Sequence, residues 1–288
     1  MNLKKSSIAS SFVLIFLLAV VMIASVKPVN AESNIIILSE TSYISASDAY
    51  YIVGEVKNTG ETPVRFVKIT ATYYDSNNDL IVTDWGYAEL DVLLPNTKSG
   101  FTVVLLSDAA ELEKIDHYTL AVTYSDAPTV PEQTLYILSH DSYISNTGAL
   151  HITGEIQNTG TKTSTYTIIY ATFYDSNGKV VGTDLTFPEP EDMPAGTTES
   201  FDVLCVDYDR VPMMTSYTLT AESDQYAITT DVSGTITAPE TTTTPTTISE
   251  ATPTPTVPEY PVATALIAIV IATFCALLFL KGKREQKQ

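Results

Sequence analysis

The sequence predicts an all-β protein: two tandem β-sandwich domains, with a signal peptide before them and a disordered stalk and one C-terminal transmembrane helix after them. Three observations carry this. Apolar residues alternate with period two through most of the chain. A near-copy of the first hundred-residue unit follows at a fixed offset. Long uncharged apolar runs stand only at the two ends.

The N-terminus has Lys4 and Lys5, an apolar run from Ile8 to Val26, and the small-residue site Val29-Asn30-Ala31. That order reads as a secretory signal peptide over residues 1–31, cleaved after Ala31; a retained N-terminal anchor is the alternative.

The repeat comes next. Residues 37–84 and 137–184 align without a gap at an offset of 100. ILSETSYIS matches ILSHDSYIS, GEVKNTG matches GEIQNTG, and ATYYDSN matches ATFYDSN. Phe101 and Phe201 keep the offset, and a one-residue deletion then sets Tyr118-Thr119-Leu120 over Tyr217-Thr218-Leu219. A period near 100 is domain-sized, so residues 32–126 and 127–234 are read as two copies of one sandwich. Within a copy, Tyr50, Ile52, Gly54 and Val56 share a strand face, as do Phe101, Val103 and Leu105, and Tyr118, Leu120 and Val122. Turn signals at Asn58-Thr59-Gly60, Asp75-Ser76-Asn77-Asn78, Pro95-Asn96 and Asn177-Gly178 mark off six or seven strands per copy. A single helical turn is expected between Asp108 and Ile115. ATYYD is read as a central strand whose Asp75 (Asp175 in the copy) accepts from the amides of the following turn. Tyr74 and Tyr174 are placed over the core with the hydroxyl at its rim.

The stretches GEVKNTG…ATYYDSNNDLIVTD and GEIQNTG…ATFYDSNGKVVGTD resemble the FxLYD domain family, over about residues 36–124 and 136–222. The Tyr-Asp pair is kept at Tyr74-Asp75 and Tyr174-Asp175. The family's leading aromatic is replaced by Ala71 and Ala171, and its leucine by Tyr73 and Phe173. The resemblance implies immunoglobulin-like sandwiches of exported prokaryotic proteins and no catalytic activity.

Residues 235–257 hold eleven Thr and four Pro. Such a segment cannot bury enough apolar surface to fold and reads as an extended stalk, unmodified or O-glycosylated. No Asn-x-Ser/Thr sequon occurs. Val262 to Leu280 is nineteen uncharged residues, about 28 Å as a helix and near the thickness of a bilayer core. Lys281, Lys283, Arg284 and Lys287 follow, so this basic tail is expected in the cytoplasm and everything between residues 31 and 261 outside. Pro258-Glu259-Tyr260-Pro261, before the apolar run and basic tail, resembles an archaeal PEF-CTERM sorting signal, with Tyr where that family has Phe. That resemblance implies an archaeal source and a tail that a sortase processes; a tail kept as anchor is the alternative. Residues 258–288 are thus anchor or sorting signal.

Residues 32–257 carry 8 Lys and Arg against 32 Asp and Glu, a formal charge of 8 − 32 = −24. A surface so acidic excludes nucleic acid as a partner, because phosphate binding needs clustered cations. Cys205 lies outside the apolar span and Cys275 inside it, so no disulfide within the chain is expected, and Cys205 is read as a core residue. Asp75 to Asp79 starts like a calcium loop but has Leu80 and Gly86 where an EF-hand needs Gly and Glu, so it is read as a hairpin turn. Glu189, Glu191 and Asp192, with Asp207 and Asp209, are a weak cation candidate or a solvated surface. His117, His140 and His151 stand apart, and no nucleophile elbow, zinc-protease, phosphate-loop or CxxC motif occurs. No residue is therefore assigned as catalytic, cofactor-binding or metal-binding. The expected function is a non-enzymatic surface protein, single-pass in the cell membrane, whose modules serve envelope structure as spacers, or interaction by presenting faces to an envelope protein. The alternative is a cation- or glycan-binding module using the acidic loop 187–193 and exposed tyrosines.

Overall fold

The computed structural model describes residues 34–46 and 48–237. The segments read from sequence as signal peptide, as membrane span with basic tail, and as stalk beyond residue 237 lie outside the described residues. Among the described residues no helix is long and apolar enough to cross a membrane.

The described chain is all-β. Seven strands make the first repeat: β1 (Ile35–Ile44), β2 (Ala49–Asn58), β3 (Val64–Tyr74), β4 (Leu80–Tyr87), β5 (Val92–Leu93), β6 (Lys98–Leu106) and β7 (His117–Asp126). One sheet runs β1-β2-β6, and the other runs β4-β3-β7 with β5 also on β3. Eight strands make the second: β8 (Glu132–Ile144), β9 (Leu150–Asn158), β10 (Ile168–Tyr174), β11 (Val180–Thr186), β12 (Thr198–Cys205), β13 (Ser216–Glu222), β14 (Tyr226–Ile228) and β15 (Val232–Thr235). Strands β8-β9-β12 and β11-β10-β13 repeat the first pattern. β14 then joins the two halves, parallel to β8 and antiparallel to β13, and β15 pairs with the start of β13. Thr235 is thus the last residue of a strand and Ile236 packs against the core, so ordered chain runs just into the segment read as stalk.

Each repeat has its own apolar core, filled from both of its sheets. Ile52, Val56, Phe101 and Val103 meet Ile69, Ala71, Tyr73 and Leu93 in the first; Ile152, Ile156 and Val203 meet Ile169, Ala171, Phe173 and Leu219 in the second. The period-two faces read from sequence are the inward ones. The GEVKN and GEIQN motifs have a packing cause. Gly54 pairs across the sheet with Phe101, and a Cβ there would stand 2.4 Å from the phenyl ring; Gly154 faces Phe201 in the same way. Asn58 closes the motif from full burial. Its Nδ2 donates to the carbonyls of Thr62 (2.9 Å) and Leu93 (3.0 Å) while its Oδ1 accepts from Gly60 N–H (2.9 Å). Asn158 does the same toward Lys162, Met193 and Gly160.

The turns confirm the hairpin reading. Asp75 accepts from Asn77 N–H (2.8 Å) and Asp79 N–H (2.9 Å), and Asp175 accepts from Asn177 and Lys179. Those amides hold both carboxyls below the usual aspartate range. Three turn positions lie in the left-handed region in both copies: Asp48, Asn78 and Asn96 in the first are Gly148, Gly178 and Gly196 in the second. Asx residues and glycine are the types that tolerate this conformation. The expected helical turn is α1 (Ala109–Leu112), capped by Asp108, whose side chain accepts from Glu111 N–H. Cys205 is a buried free thiol.

One expectation is corrected. Tyr74 and Tyr174 do not stand over their own cores: Tyr73 and Phe173 fill them, fully buried, and the tyrosines point to the opposite faces of the sheets. The pleat allows only one of two neighbouring aromatics to face inward.

Asn158→Ala removes the fully buried amide that ties the end of β9 to the carbonyls of Lys162 and Met193 and to Gly160 N–H. It is expected to cost about 2–4 kcal/mol of unfolding free energy, read from the midpoint of a denaturant titration.

Candidate interaction surfaces

Burial along equivalent strands differs between the repeats. β9 alternates, with Glu155 exposed on its outer face, whereas β2 is buried from Ile52 through Val56. β3 alternates, whereas β10 is buried from Ile169 through Phe173. The cause is direct docking: the outer face of β1-β2-β6 lies against the outer side of β10-β11.

Hydrogen bonds fix this joint. Tyr174 Oη donates to Glu55 Oε1 at 2.5 Å, and Lys98 Nζ lies 3.1 Å from Glu55 Oε2. The edge of β11 is bound by side chains of β1: Val180 N–H donates to Ser39 Oγ (2.8 Å), and Thr41 Oγ1 donates to Val180 O (2.6 Å). Thr102 and Thr183 hydroxyls meet at 2.7 Å, and Asp91 N–H donates to Glu222. Arg210 lies over the Tyr43 ring at 3.9 Å while its Nε donates to Val181 O. Tyr170 is buried with the first repeat's core, where Ile168 and Leu185 also pack. Gly100 makes the close approach possible: a Cβ there would lie 2.5 Å from Glu89 Oε2 and 2.9 Å from Thr172 Oγ1.

The joint holds carboxyls away from water. Burial pushes Glu89 up to about 8, against the weaker opposite effect of a hydrogen bond from Thr183; its Oε2 has no hydrogen-bond partner. Burial also raises Asp231, beside Glu55 and Lys98, and takes Asp184, on β11 itself, to about 7. A carboxyl whose pKa rises on folding binds its proton more tightly when folded. Its stabilisation is complete below its unfolded value of 4.5 and is lost as pH rises through about 8.

The residues singled out from sequence do not converge. Glu189, Glu191 and Asp192 are exposed, with Asp192 accepting from Tyr166 N–H. Asp207 instead receives the amides of Arg210 and Val211 on its carbonyl. His117 stacks on Tyr74 and approaches Asp116, His140 Nδ1 meets Tyr217 Oη at 2.8 Å, and His151 Nδ1 meets Asp202 at 2.9 Å beneath Tyr143. Among the described residues no group of three or more His, Cys, Asp or Glu side chains is placed to hold a metal. Exposed apolar residues instead mark two sheet faces. Tyr143 and Leu204 flank His151 in one row across β8-β9-β12, and Trp85 on β4 carries Lys68 over its ring at 4.4 Å. Trp85 was not singled out from sequence; a lone tryptophan on an otherwise Thr-rich outer face was the available signal.

No protein-family model matches the chain, and no curated protein matches it. Among solved structures, a red sea bream transglutaminase is 9% identical, with 72% of this chain and 31% of that one covered at a TM-score of 0.25. The exo-chitosanase CsxA of Amycolatopsis orientalis is 11% identical, covering 68% and 26% at 0.24. A glycoside hydrolase family 2 β-glucuronidase is 12% identical, covering 65% and 24% at 0.25. The chain spans less than a third of the length of each, and likeness at these scores carries no argument about fold or chemistry.

Glu89→Gln removes one buried ionisation. The variant is expected to match the parent's melting temperature near pH 5 and to exceed it near pH 9, as measured by calorimetry.

Proposed function

We propose that the chain is a non-enzymatic cell-surface protein. Two immunoglobulin-like modules, fixed to each other, are presented on the Thr/Pro stalk and held by the span at 262–280, with the basic tail in the cytoplasm. The joint supports this reading: burying Glu55, Glu89 and Tyr174 to lock two repeats together holds surfaces at a set spacing. The partner is an envelope protein, met through the outer sheet faces. Lys114, Lys162 and Lys179 are exposed, so a membrane-impermeant amine label is expected to modify them on intact cells. Labelling that requires lysis would overturn the reading. The mass of the mature chain would place its first residue at Glu32 and show whether the tail remains.

A second reading, glycan binding, is favoured by Trp85, half exposed on an open sheet face with Tyr87 edge-on to it at 5.3 Å. An aromatic ring in water can stack against sugar C–H groups. Trp85→Ala is then expected to abolish binding on a glycan array while leaving the melting temperature unchanged.

A further inference from the structure

Each repeat has two outer faces, and the joint uses one from each. The unused pair is the outer face of β8-β9-β12, equivalent to the docked face of the first repeat, and the outer face of β3-β4, equivalent to the docked face of the second. We propose that these two faces dock between copies of this chain, so that the second sandwich of one molecule meets the first sandwich of the next.

The groups that make the joint recur at the unused positions. Ser39, Tyr43 and Glu55 have their counterparts in Ser139, Tyr143 and Glu155; Thr172, Tyr174 and Thr183 have theirs in Thr72, Tyr74 and Thr83. The bond from Tyr174 to Glu55 therefore has its equivalent in Tyr74 and Glu155. The contact between Thr102 and Thr183 becomes Thr83 donating to the Asp202 carboxylate.

Apolar side chains stand in water where the joint would cover them. Val180 is fully buried, and its counterpart Leu80 is 63% exposed. Leu185 packs against the first core, and its counterpart Trp85 is 50% exposed. Tyr43 lies under Arg210, and its counterpart Tyr143 is 48% exposed.

Other positions have changed in complementary directions. Lys68 replaces Ile168, and it would come to the segment of Pro188, Glu189, Pro190 and Glu191 that replaces Ala88, Glu89, Leu90 and Asp91. The second sandwich's face carries Asp141, Glu155 and Asp202, opposite in charge to Lys68. Two anchors are not remade: Asp141 replaces the donor Thr41, and Glu111 replaces Arg210. Contact between copies is consequently weaker than the joint and reversible. Because the two faces differ, the association is heterologous, and each bound copy offers a further free face. None of this depends on where the chain resides.

The test uses the full-length chain in detergent. Thr102→Cys with Thr183→Cys is the positive control, because their hydroxyls meet within one molecule; the unmodified chain, with Cys205 and Cys275, sets the background. A chain with Thr83→Cys mixed with a chain with Asp202→Cys is expected to give a disulfide-linked dimer that neither forms alone. Both changes in one chain are expected to give a ladder. A control that closes while the mixture stays monomeric, or cross-linking between like variants only, would overturn the proposal. Glu155→Gln, at an exposed position, is expected to raise the concentration for half-maximal cross-linking about tenfold. An unchanged concentration would also overturn it.

Discussion

The pleat of one strand sets the arrangement of the whole molecule. On β10, Phe173 turns into its own core, so Tyr174 must turn the other way, where it reaches Glu55 of the preceding repeat. A shift of one residue would exchange them, setting a hydroxyl in the core and an apolar ring against a buried carboxylate. Core packing of one sandwich and docking of the two are therefore one constraint. The same strand satisfies both because its two faces carry different chemistry.

The joint is polar for a surface so well buried. Its hydroxyls and carboxyls meet in complementary pairs, and the main-chain edge of β11 is satisfied by Ser39 and Thr41 rather than by another strand. A sheet edge left bare invites unwanted pairing, and here it is covered by side chains. Glu89 is the expensive element, held where a charge is disfavoured. With Cys205 unpaired and no disulfide among the described residues, cohesion rests on the two apolar cores and on this contact.

Much of the fold was legible in the sequence because duplication displays the pattern twice. Strand positions, inward faces, the Asp75 and Asp175 turns and the α1 turn follow from period-two alternation and turn chemistry; the order of strands within the sheets does not. The outward tyrosines did not, because Tyr73 and Tyr74 are equally able to fill a core and only the register chooses between them. The joint was hidden for a different reason. Its signal lies where the copies differ, in Val53 against Thr153 and Tyr170 against Thr70, and similarity was what the alignment displayed. The candidate surfaces were legible only as a composition rich in tyrosine and acid.

Gly100 and Ser200 record how the two halves have parted since they were copied. The absent side chain at position 100 admits Thr172 close to the backbone, whereas the hydroxymethyl at position 200 holds its counterpart Thr72 further off, in keeping with a weaker contact between copies. The halves are thus no longer interchangeable parts. A gene spliced with them in reverse order would encode the same two sandwiches, joined through the other pair of faces and so held by a weaker seam.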